Sequence, residues 1–156
     1  MGDMLVKLYA LPDAQPAVER IRAGGFELRR PLPPERRALV RWVEAHFGER
    51  WAGETETAFS RVPVACHVAV DRGGEICGFA CYDVTFRGFF GPAGVPERLR
   101  GQGIGTALLL RSLHSLAEAG YAYAVIGGSG DDGFYAKAVG AVAIPDSEPG
   151  PYGRWE

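Results

Sequence analysis

The chain has 156 residues, of which 47% are hydrophobic and 23% are charged, and its 17 Lys and Arg residues against 19 Asp and Glu residues give a net charge of −2. This length suits a single globular domain over residues 1–156, and the nearly neutral charge argues against a nucleic-acid-binding surface. No stretch approaches the roughly 18 apolar residues of a membrane span, and the N-terminus lacks the features of a secretory signal, so we expect a cytoplasmic protein.

The first 25 residues predict an added strand and helix at the start of the domain. A short strand over residues 5–9 is followed by a helix over residues 14–23, which Asp13 can cap and which the pair Gly24 and Gly25 ends. A strand, two helices and a hairpin around the turn sequence DRGG follow, over residues 26–30, 33–47, 50–60, 62–70 and 75–86.

The second half of the chain predicts alternating strands and helices. Residues 89–95 form a strand that Pro92 and the glycines near it should bend, because proline cannot donate to a β-ladder. A strand–helix–strand unit implies a parallel pair and the hairpin implies antiparallel pairs, so the expected fold class is α/β with a mixed sheet. After the leucine-rich helix that Gly120 ends, we predict a strand over residues 121–126, a short helix over 134–139 capped by Asp131 or Asp132, and two closing strands over 141–144 and 152–155.

The sequence RLRGQGIGTALLL, from Arg98 to Leu110, places three glycines at alternate positions before a helix. The dinucleotide-binding pattern GxGxxG fails because Thr106 takes the place of the third glycine, and a P-loop would need a lysine that this loop lacks. Glycines at a helix N-terminus leave backbone N–H groups bare toward an anion, and Arg100 adds positive charge. Either the loop binds an anion or its glycines only allow a tight strand-to-helix turn.

Two segments of the sequence resemble the GNAT acetyltransferases. RGQGIG resembles motif A of that family, with Arg100, Gly103 and Gly105 at the motif's positions, and FYAKAVGA resembles the YxKxGF segment near the family's C-terminus. The resemblance runs over residues 26–156 in element order. It implies the GNAT fold, a mixed and mostly antiparallel sheet with flanking helices, in which a parallel strand pair splays apart at an acyl-CoA site.

The resemblance also implies that acetyl-CoA is the acyl donor. Its pyrophosphate would lie on the backbone amides of the glycine loop, and its pantetheine arm would lie along residues 89–95, where that strand parts from its parallel neighbour. A backbone N–H of Gly94 or Val95 would stabilise the developing oxyanion. Thr106 and Arg111 could supplement the backbone donors. The implied donor-binding residues are Val95, Arg100, Gly101, Gln102, Gly103, Ile104, Gly105 and Thr106.

Acyl transfer to an amine also needs a proton donor for the leaving thiolate and a proton acceptor for the amine. Tyr135 falls at the tyrosine position of the family's C-terminal segment, which implies a general acid for the departing thiolate, although its residue type alone fits a core aromatic. No motif fixes the general base. Asp83 is the first candidate because it shares a largely apolar face of its predicted strand, although a solvated strand-end residue fits equally. Glu54, Glu56 and His67 are the alternatives, and His67 also suits a packed core histidine.

One position departs from the family's pattern. The chain has Gly128 where similar enzymes often carry an asparagine, and Ser129 could replace that contact. Three cysteines, Cys66, Cys77 and Cys81, lie in predicted strands with no CxxC pair and no catalytic motif beside them. We therefore expect buried thiols, without a metal site or a covalent enzyme intermediate.

The resemblance thus implies an N-acetyltransferase that moves an acetyl group from acetyl-CoA to a primary amine by direct attack, the amine belonging to a small molecule or a peptide. Two other functions stay open: a non-catalytic acyl-CoA-binding or regulatory module, which needs neither acid nor base, and a nucleotide-binding module. Trp155 could pack against a second copy in a homodimer or close the sheet. We expect no membrane or nucleic-acid partner.

Overall fold

A computed structural model of the chain describes residues 2–155, with side chains up to residue 153. The strands β1 to β7 span Met4–Lys7, Glu27–Arg29, Cys66–Val70, Ile76–Tyr82, Phe89–Gly94, Tyr123–Ile126 and Val142–Ala143. The helices α1 to α5 span Gln15–Ala23, Arg36–Phe47, Glu49–Ala58, Ile104–Glu118 and Asp132–Val139. Short 3₁₀ turns lie at Leu8–Ala10, Pro33–Glu35, Glu97–Leu99 and Tyr152–Trp155.

Within the described residues, the seven strands form one sheet in the order β2–β3–β4–β5–β6–β1–β7. All neighbours pair antiparallel except β5 and β6, which pair parallel. Helix α4 connects this parallel pair, as a crossover requires. The expected α/β class with a mixed, mostly antiparallel sheet and flanking helices is confirmed. Of the helices in residues 2–155, none has the length and apolar character needed to cross a bilayer.

Most predicted elements are present with shifted ends. The helix predicted over residues 33–47 begins with the 3₁₀ turn Pro33–Glu35 and becomes α-helical at Arg36. The strand predicted over residues 152–155 is wrong, because Tyr152–Trp155 is a 3₁₀ turn. The place beside β6 that a closing strand would fill is taken by β1, which pairs with both β6 and β7. The side chain of Trp155 lies outside the described residues.

Strand β1 makes the N-terminal segment an inner part of the sheet. Met4 lies opposite Ile126 of β6, and β7 pairs along the other side of β1. The buried Asp3 carboxylate accepts a hydrogen bond from the Gly128 amide at 2.9 Å, and the Asp3 amide donates to Ser147 Oγ at 2.7 Å. Segments from both ends of the chain thus hold the loop between β6 and α5.

Helices cover both faces of the sheet. On one face, the fully buried Phe79 packs against the rings of Trp42 in α2 and Trp51 in α3. Its neighbour Gly78 points to the opposite face, where a Cβ would lie 3.0 Å from Leu108 Cδ1 of α4, so the glycine allows the helix to approach closely. Helix α1 packs on α4. Burial of each large core side chain contributes about 1.5–3 kcal/mol.

Candidate functional site

The sheet opens between β5 and β6. Their parallel pairing runs only from Phe89 opposite Val125 to Phe90 opposite Ile126. Beyond that point β5 continues to Gly94 while paired with β4, and β6 ends. The backbone of β5 past Phe90 therefore has no strand partner on the β6 side within the described residues. This geometry is the predicted splayed parallel pair.

The glycine loop follows the open part of β5 after the short 3₁₀ turn Glu97–Leu99. Gly101 and Gly103 have φ angles of 85° and 91°, in the left-handed region that glycine adopts without strain. Gly103 is the N-cap of α4, and no side chain caps this helix end. The first helical hydrogen bond runs from the Ala107 amide to the Gly103 carbonyl at 3.1 Å. The amides of Ile104 to Thr106 precede it and are free to face a ligand.

Side chains of the loop turn back toward the protein. Arg100 Nε donates to the Val95 carbonyl at 3.1 Å, and Gln102 Nε2 donates to the Leu99 carbonyl at 3.4 Å. A Cβ on Gly105 would lie 4.0 Å from Val95 Cγ2, so the start of α4 lies close to the end of β5. Glycine at this position adds no side chain between a ligand and the backbone. Of the predicted donor-binding residues, Ile104 has a side chain that is 1% exposed and packs in the core, so it offers only its amide to a ligand, while the others are exposed or half-buried around the start of α4. Bare amides, a positive helix end and a nearby guanidinium fit a pyrophosphate.

Two aromatic rings flank the opening on the face of α2 and α3. A Cβ on Gly94 would lie 2.5 Å from Phe47 Cζ, so the ring of Phe47 rests directly on β5. A Cβ on Gly127 would lie 2.5 Å from Tyr152 Cε2 and 3.2 Å from Phe89 Cδ2. Phe47 and Tyr152 could not be assigned to the site from the sequence, because both reach it through contacts between distant parts of the chain. The signal available in the sequence was glycine at the end of β5 (Gly94) and just after β6 (Gly127), which leaves room for a ring to rest on the backbone.

Tyr135 lies on α5, close to the end of the parallel pair. Its half-buried ring has a centroid 6.4 Å from that of Phe90. Burial, and secondly the charge of Asp131, raises the pKa of the Tyr135 phenol above its ordinary value. Asp131 caps the helix by accepting from the Phe134 amide at 3.0 Å, which fixes the start of α5. Within residues 2–155 the Tyr135 hydroxyl makes no hydrogen bond, so a protonated phenol is available at this end of the opening.

Asp83 is held by three hydrogen bonds just after β4. Its Oδ1 accepts from the Gly88 amide at 2.7 Å and from the Tyr121 hydroxyl at 2.8 Å, and its Oδ2 accepts from Arg61 Nη1 at 2.7 Å. Burial acts to raise the pKa of this carboxyl, but these hydrogen bonds outweigh burial and hold the pKa below its ordinary value. Strand β4 ends at Tyr82 and Asp83 has a φ of 61°, so the predicted alternation does not continue through it.

The other acidic candidates differ in their surroundings. Glu54 on α3 is half-buried, and its Oε1 accepts from Thr85 Oγ1 at 2.6 Å. Burial, and secondly the charge of Glu54, raises the pKa of Tyr152 to about 12, which places Glu54 on the side of the opening that Tyr152 covers. Glu56 is exposed. Of the predicted glutamates, Glu54 therefore lies nearer the opening.

His67 is a packed core histidine. It is 4% exposed, and its Nε2 lies 2.9 Å from Ser115 Oγ on α4. Burial, together with the positive charges of Arg30 and Arg111, lowers its pKa to about 3. The three cysteines are buried free thiols, as the sequence predicts. Among residues 2–155, no cluster of His, Cys, Asp or Glu has the composition of a metal site.

The loop after β6 is held by a backbone hydrogen bond to Asp3, and one buried hydroxyl in this loop has no hydrogen-bond partner among the described residues. Gly128, which takes the place of the family's asparagine, has a φ of 55° and donates its amide to Asp3. Ser129 is 2% exposed, and its Oγ has no hydrogen-bond partner in the described part of the chain. The replacement of the asparagine contact by Ser129 stays a prediction.

The open strand pair, the glycine loop and the helix behind it define an acyl-CoA-dependent transferase fold. Residues 31–140 match the sequence model of the acetyltransferase (GNAT) family. The chain therefore belongs to the GNAT family, whose acyl donor is acetyl-CoA.

Solved structures show the same fold. The GCN5-related glucosamine N-acetyltransferase region of a fungal multi-domain GH3 β-N-acetylglucosaminidase superposes with a TM-score of 0.73 at 15% identity, over 92% of this chain and 19% of that chain. A GCN5-related N-acetyltransferase from Sphaerobacter thermophilus superposes with a TM-score of 0.70 at 24% identity, over 92% of this chain and 48% of that chain. The present chain thus spans half or less of the length of these proteins. The comparison with curated proteins found no match.

Proposed function

We propose that this chain is an acetyl-CoA-dependent N-acetyltransferase that transfers an acetyl group directly to a primary amine of a small molecule or peptide. One observation carries the proposal: the open edge of β5 ends beside the bare amides at the start of α4, since a Cβ on Gly105 would lie 4.0 Å from Val95 Cγ2. The two parts together suit an elongated ligand whose one end is a thioester and whose middle is a pyrophosphate. A nucleotide-binding module would need the loop but not the open strand.

The donor is proposed to bind mainly through the backbone. The amides from Gln102 to Thr106 hold the pyrophosphate, with Arg100 beside them, and the free edge of β5 holds the pantetheine arm. An amide of Gly94 or Val95 donates to the thioester oxygen as negative charge develops on it. Phe47 supports this arrangement because its ring fixes the backbone of β5 at Gly94.

The proton transfers are proposed to use two side chains, one as general acid and one as general base. The amine nitrogen bonds to the acyl carbon, the carbon–sulfur bond breaks, and Tyr135 gives its proton to the departing thiolate. Asp83 is the base that the sequence first indicates. Its low pKa and three hydrogen bonds favour Glu54 instead, because a base needs a lone pair free to take the amine proton.

The test first measures binding of the acyl donor and then measures acetyl transfer to acceptor amines. Purified protein is titrated with acetyl-CoA, NAD and ATP in a calorimeter, and thiol release is then followed with a panel of primary amines. We expect binding of acetyl-CoA but not of NAD or ATP, and amine-dependent thiol release. Binding without turnover on any amine would favour the acyl-CoA-binding module, and binding of NAD or ATP alone would overturn the proposal. A cytoplasmic location and a homodimer stay predictions.

A further inference from the structure

Helix α1 reaches the glycine loop from outside the segment that matches the family, since that segment begins at residue 31. The helix packs along α4, and this contact brings the side chain of Arg20 over Gly103. A Cβ on Gly103 would lie 3.2 Å from each of the Cδ, Nε and Cζ atoms of Arg20. The guanidinium group therefore lies against the N-cap residue of α4, beside the bare amides.

Arg20 has no partner for its charge. Within residues 2–155 its guanidinium group makes no hydrogen bond or ion pair. Two residues further along the same helix, Arg22 Nε lies 3.1 Å from Glu27 Oε1, and on the next strand Arg29 pairs with Glu35 at 2.7 Å. Arg22 and Arg29 thus have acidic partners, whereas Arg20, whose exposed side chain lies over the loop, has none.

The local charge balance favours an anion at this place. Arg100, the cation that the sequence places in the loop, already donates through Nε to the Val95 carbonyl. The positive end of α4 and the free guanidinium group of Arg20 have no compensating carboxylate in contact with them among the described residues. A guanidinium group binds phosphate oxygens through two parallel N–H donors, which a lysine cannot reproduce.

We infer that Arg20 is a further pyrophosphate-binding residue, supplied to the acetyl-CoA site by the N-terminal helix. This inference rests on the proposed function. It gives the segment before residue 31 a part in donor binding in addition to its part in the sheet. Gly103 is required here because any side chain would displace Arg20 as well as strain the backbone at a φ of 91°.

The inference is tested with Arg20→Ala, Arg20→Lys and the matched control Arg22→Ala, whose arginine lies on the same helix but faces Glu27. Calorimetric titrations use acetyl-CoA, dephospho-acetyl-CoA, which keeps the pyrophosphate but lacks the 3′-phosphate, and S-acetylpantetheine, which has no pyrophosphate. Thermal unfolding of each variant verifies the fold.

We expect Arg20→Ala to weaken acetyl-CoA binding about 10- to 100-fold, as removal of a charge-assisted contact does. The loss should be the same with dephospho-acetyl-CoA and absent with S-acetylpantetheine. Arg20→Lys should lose less, because the charge remains but the paired donors do not. Arg22→Ala should bind within about twofold of the wild type, as expected of a surface ion pair.

Four outcomes would overturn the inference. Equal loss with S-acetylpantetheine would mean that Arg20 acts through the fold, and loss of the effect with dephospho-acetyl-CoA would assign Arg20 to the 3′-phosphate. Unchanged binding in Arg20→Ala would remove its role while leaving the proposed function intact. Failure of the wild type to bind acetyl-CoA would instead overturn the proposed function, and Arg20 with it.

Discussion

The glycine loop and the Asp83 corner lie at the two ends of the β5 region and are built in different ways. The loop comes from one contiguous segment, exposes backbone donors and leaves the guanidinium group of Arg20 without a partner. The corner is assembled from distant segments through Arg61, Gly88 and Tyr121, and it engages both oxygens of Asp83. Hydrogen-bond donors without a partner indicate a ligand site, whereas polar groups that are fully hydrogen-bonded indicate a structural role.

This difference has consequences for measurement. Substitutions at the loop glycines and at Arg20 should change donor affinity and leave the fold intact, because these residues are exposed or half-buried. Substitutions at the corner should lower the free energy of unfolding, because each buried group there depends on the others. Tyr135 lies between these cases, since its ring is packed while its hydroxyl is free.

The largest effect is expected from Gly103→Val. A valine at a φ of 91° strains the backbone, displaces Arg20 and covers the amides, so acetyl-CoA affinity should fall at least about 100-fold. Calorimetric titration measures the loss. The control is Gly53→Ala in α3, where the added Cβ meets open space. Full affinity in a folded Gly103→Val protein would mean that the glycines serve only the turn.

Tyr135→Phe should lower kcat about 100-fold, in the range that general acid catalysis supplies. Acetyl-CoA affinity should stay within about twofold, because the ring and its contact with Phe90 remain. Steady-state thiol release and calorimetry separate the two quantities. Tyr123→Phe is the control, since that tyrosine is exposed and its hydroxyl meets only Tyr9. A variant with unchanged turnover would remove the acid role from Tyr135.

Asp83→Asn and Glu54→Gln form a matched pair, since each removes one negative charge with little change in shape. Asp83→Asn should lower the free energy of unfolding by about 2 kcal/mol, because Arg61 loses its charged partner and the hydrogen bonds are mispaired. Glu54→Gln should leave stability nearly unchanged and lower kcat/KM. Urea unfolding and thiol release measure the two effects. The reverse pattern, with turnover lost only in a stable Asp83→Asn protein, would make Asp83 the base.

The smallest effect concerns His67, which belongs to neither region and should act on stability alone. Its pKa in the folded chain, about 3, is below its ordinary value of 6.5, so the folded state binds fewer protons than the unfolded state as pH falls. The stability linked to His67 is complete above pH 6.5 and is lost as pH falls toward 3, by about 2 kcal/mol at pH 5. Urea unfolding from pH 7.5 to 5 should be less pH-dependent in His67→Gln. An equally steep profile in that variant would contradict this.

Local signals in the sequence predicted the elements around the proposed donor site. The bent strand, the glycine loop and helix α4 follow one another along the chain, so motif spacing and helical periodicity carry the information. The DRGG turn likewise predicted the β3–β4 hairpin, and Asp131 was correctly predicted as a helix cap. The fold class followed from the strand–helix–strand unit around the loop.

Contacts between distant segments could not be predicted from a single sequence. Nothing near Arg20 indicates that α1 packs it onto Gly103, and nothing near Asp83 indicates Tyr121 as its partner. The closing strand over residues 152–155 was predicted from local β-propensity, but β1 occupies the position beside β6. Sheet position depends on which strands compete for an edge, and single-strand propensity does not include that competition.

The position of β1 affects how the protein folds during synthesis. Asp3 and the Gly128 amide that it accepts from are 125 residues apart in the chain, and the strand that follows Asp3 pairs with β6 and β7, which are synthesised long after it. Strand β1 therefore has to wait for its neighbours, and contacts of such long range slow folding. Until they form, the apolar side chains of β1 are open to wrong pairing, so we expect the nascent chain to depend on chaperones.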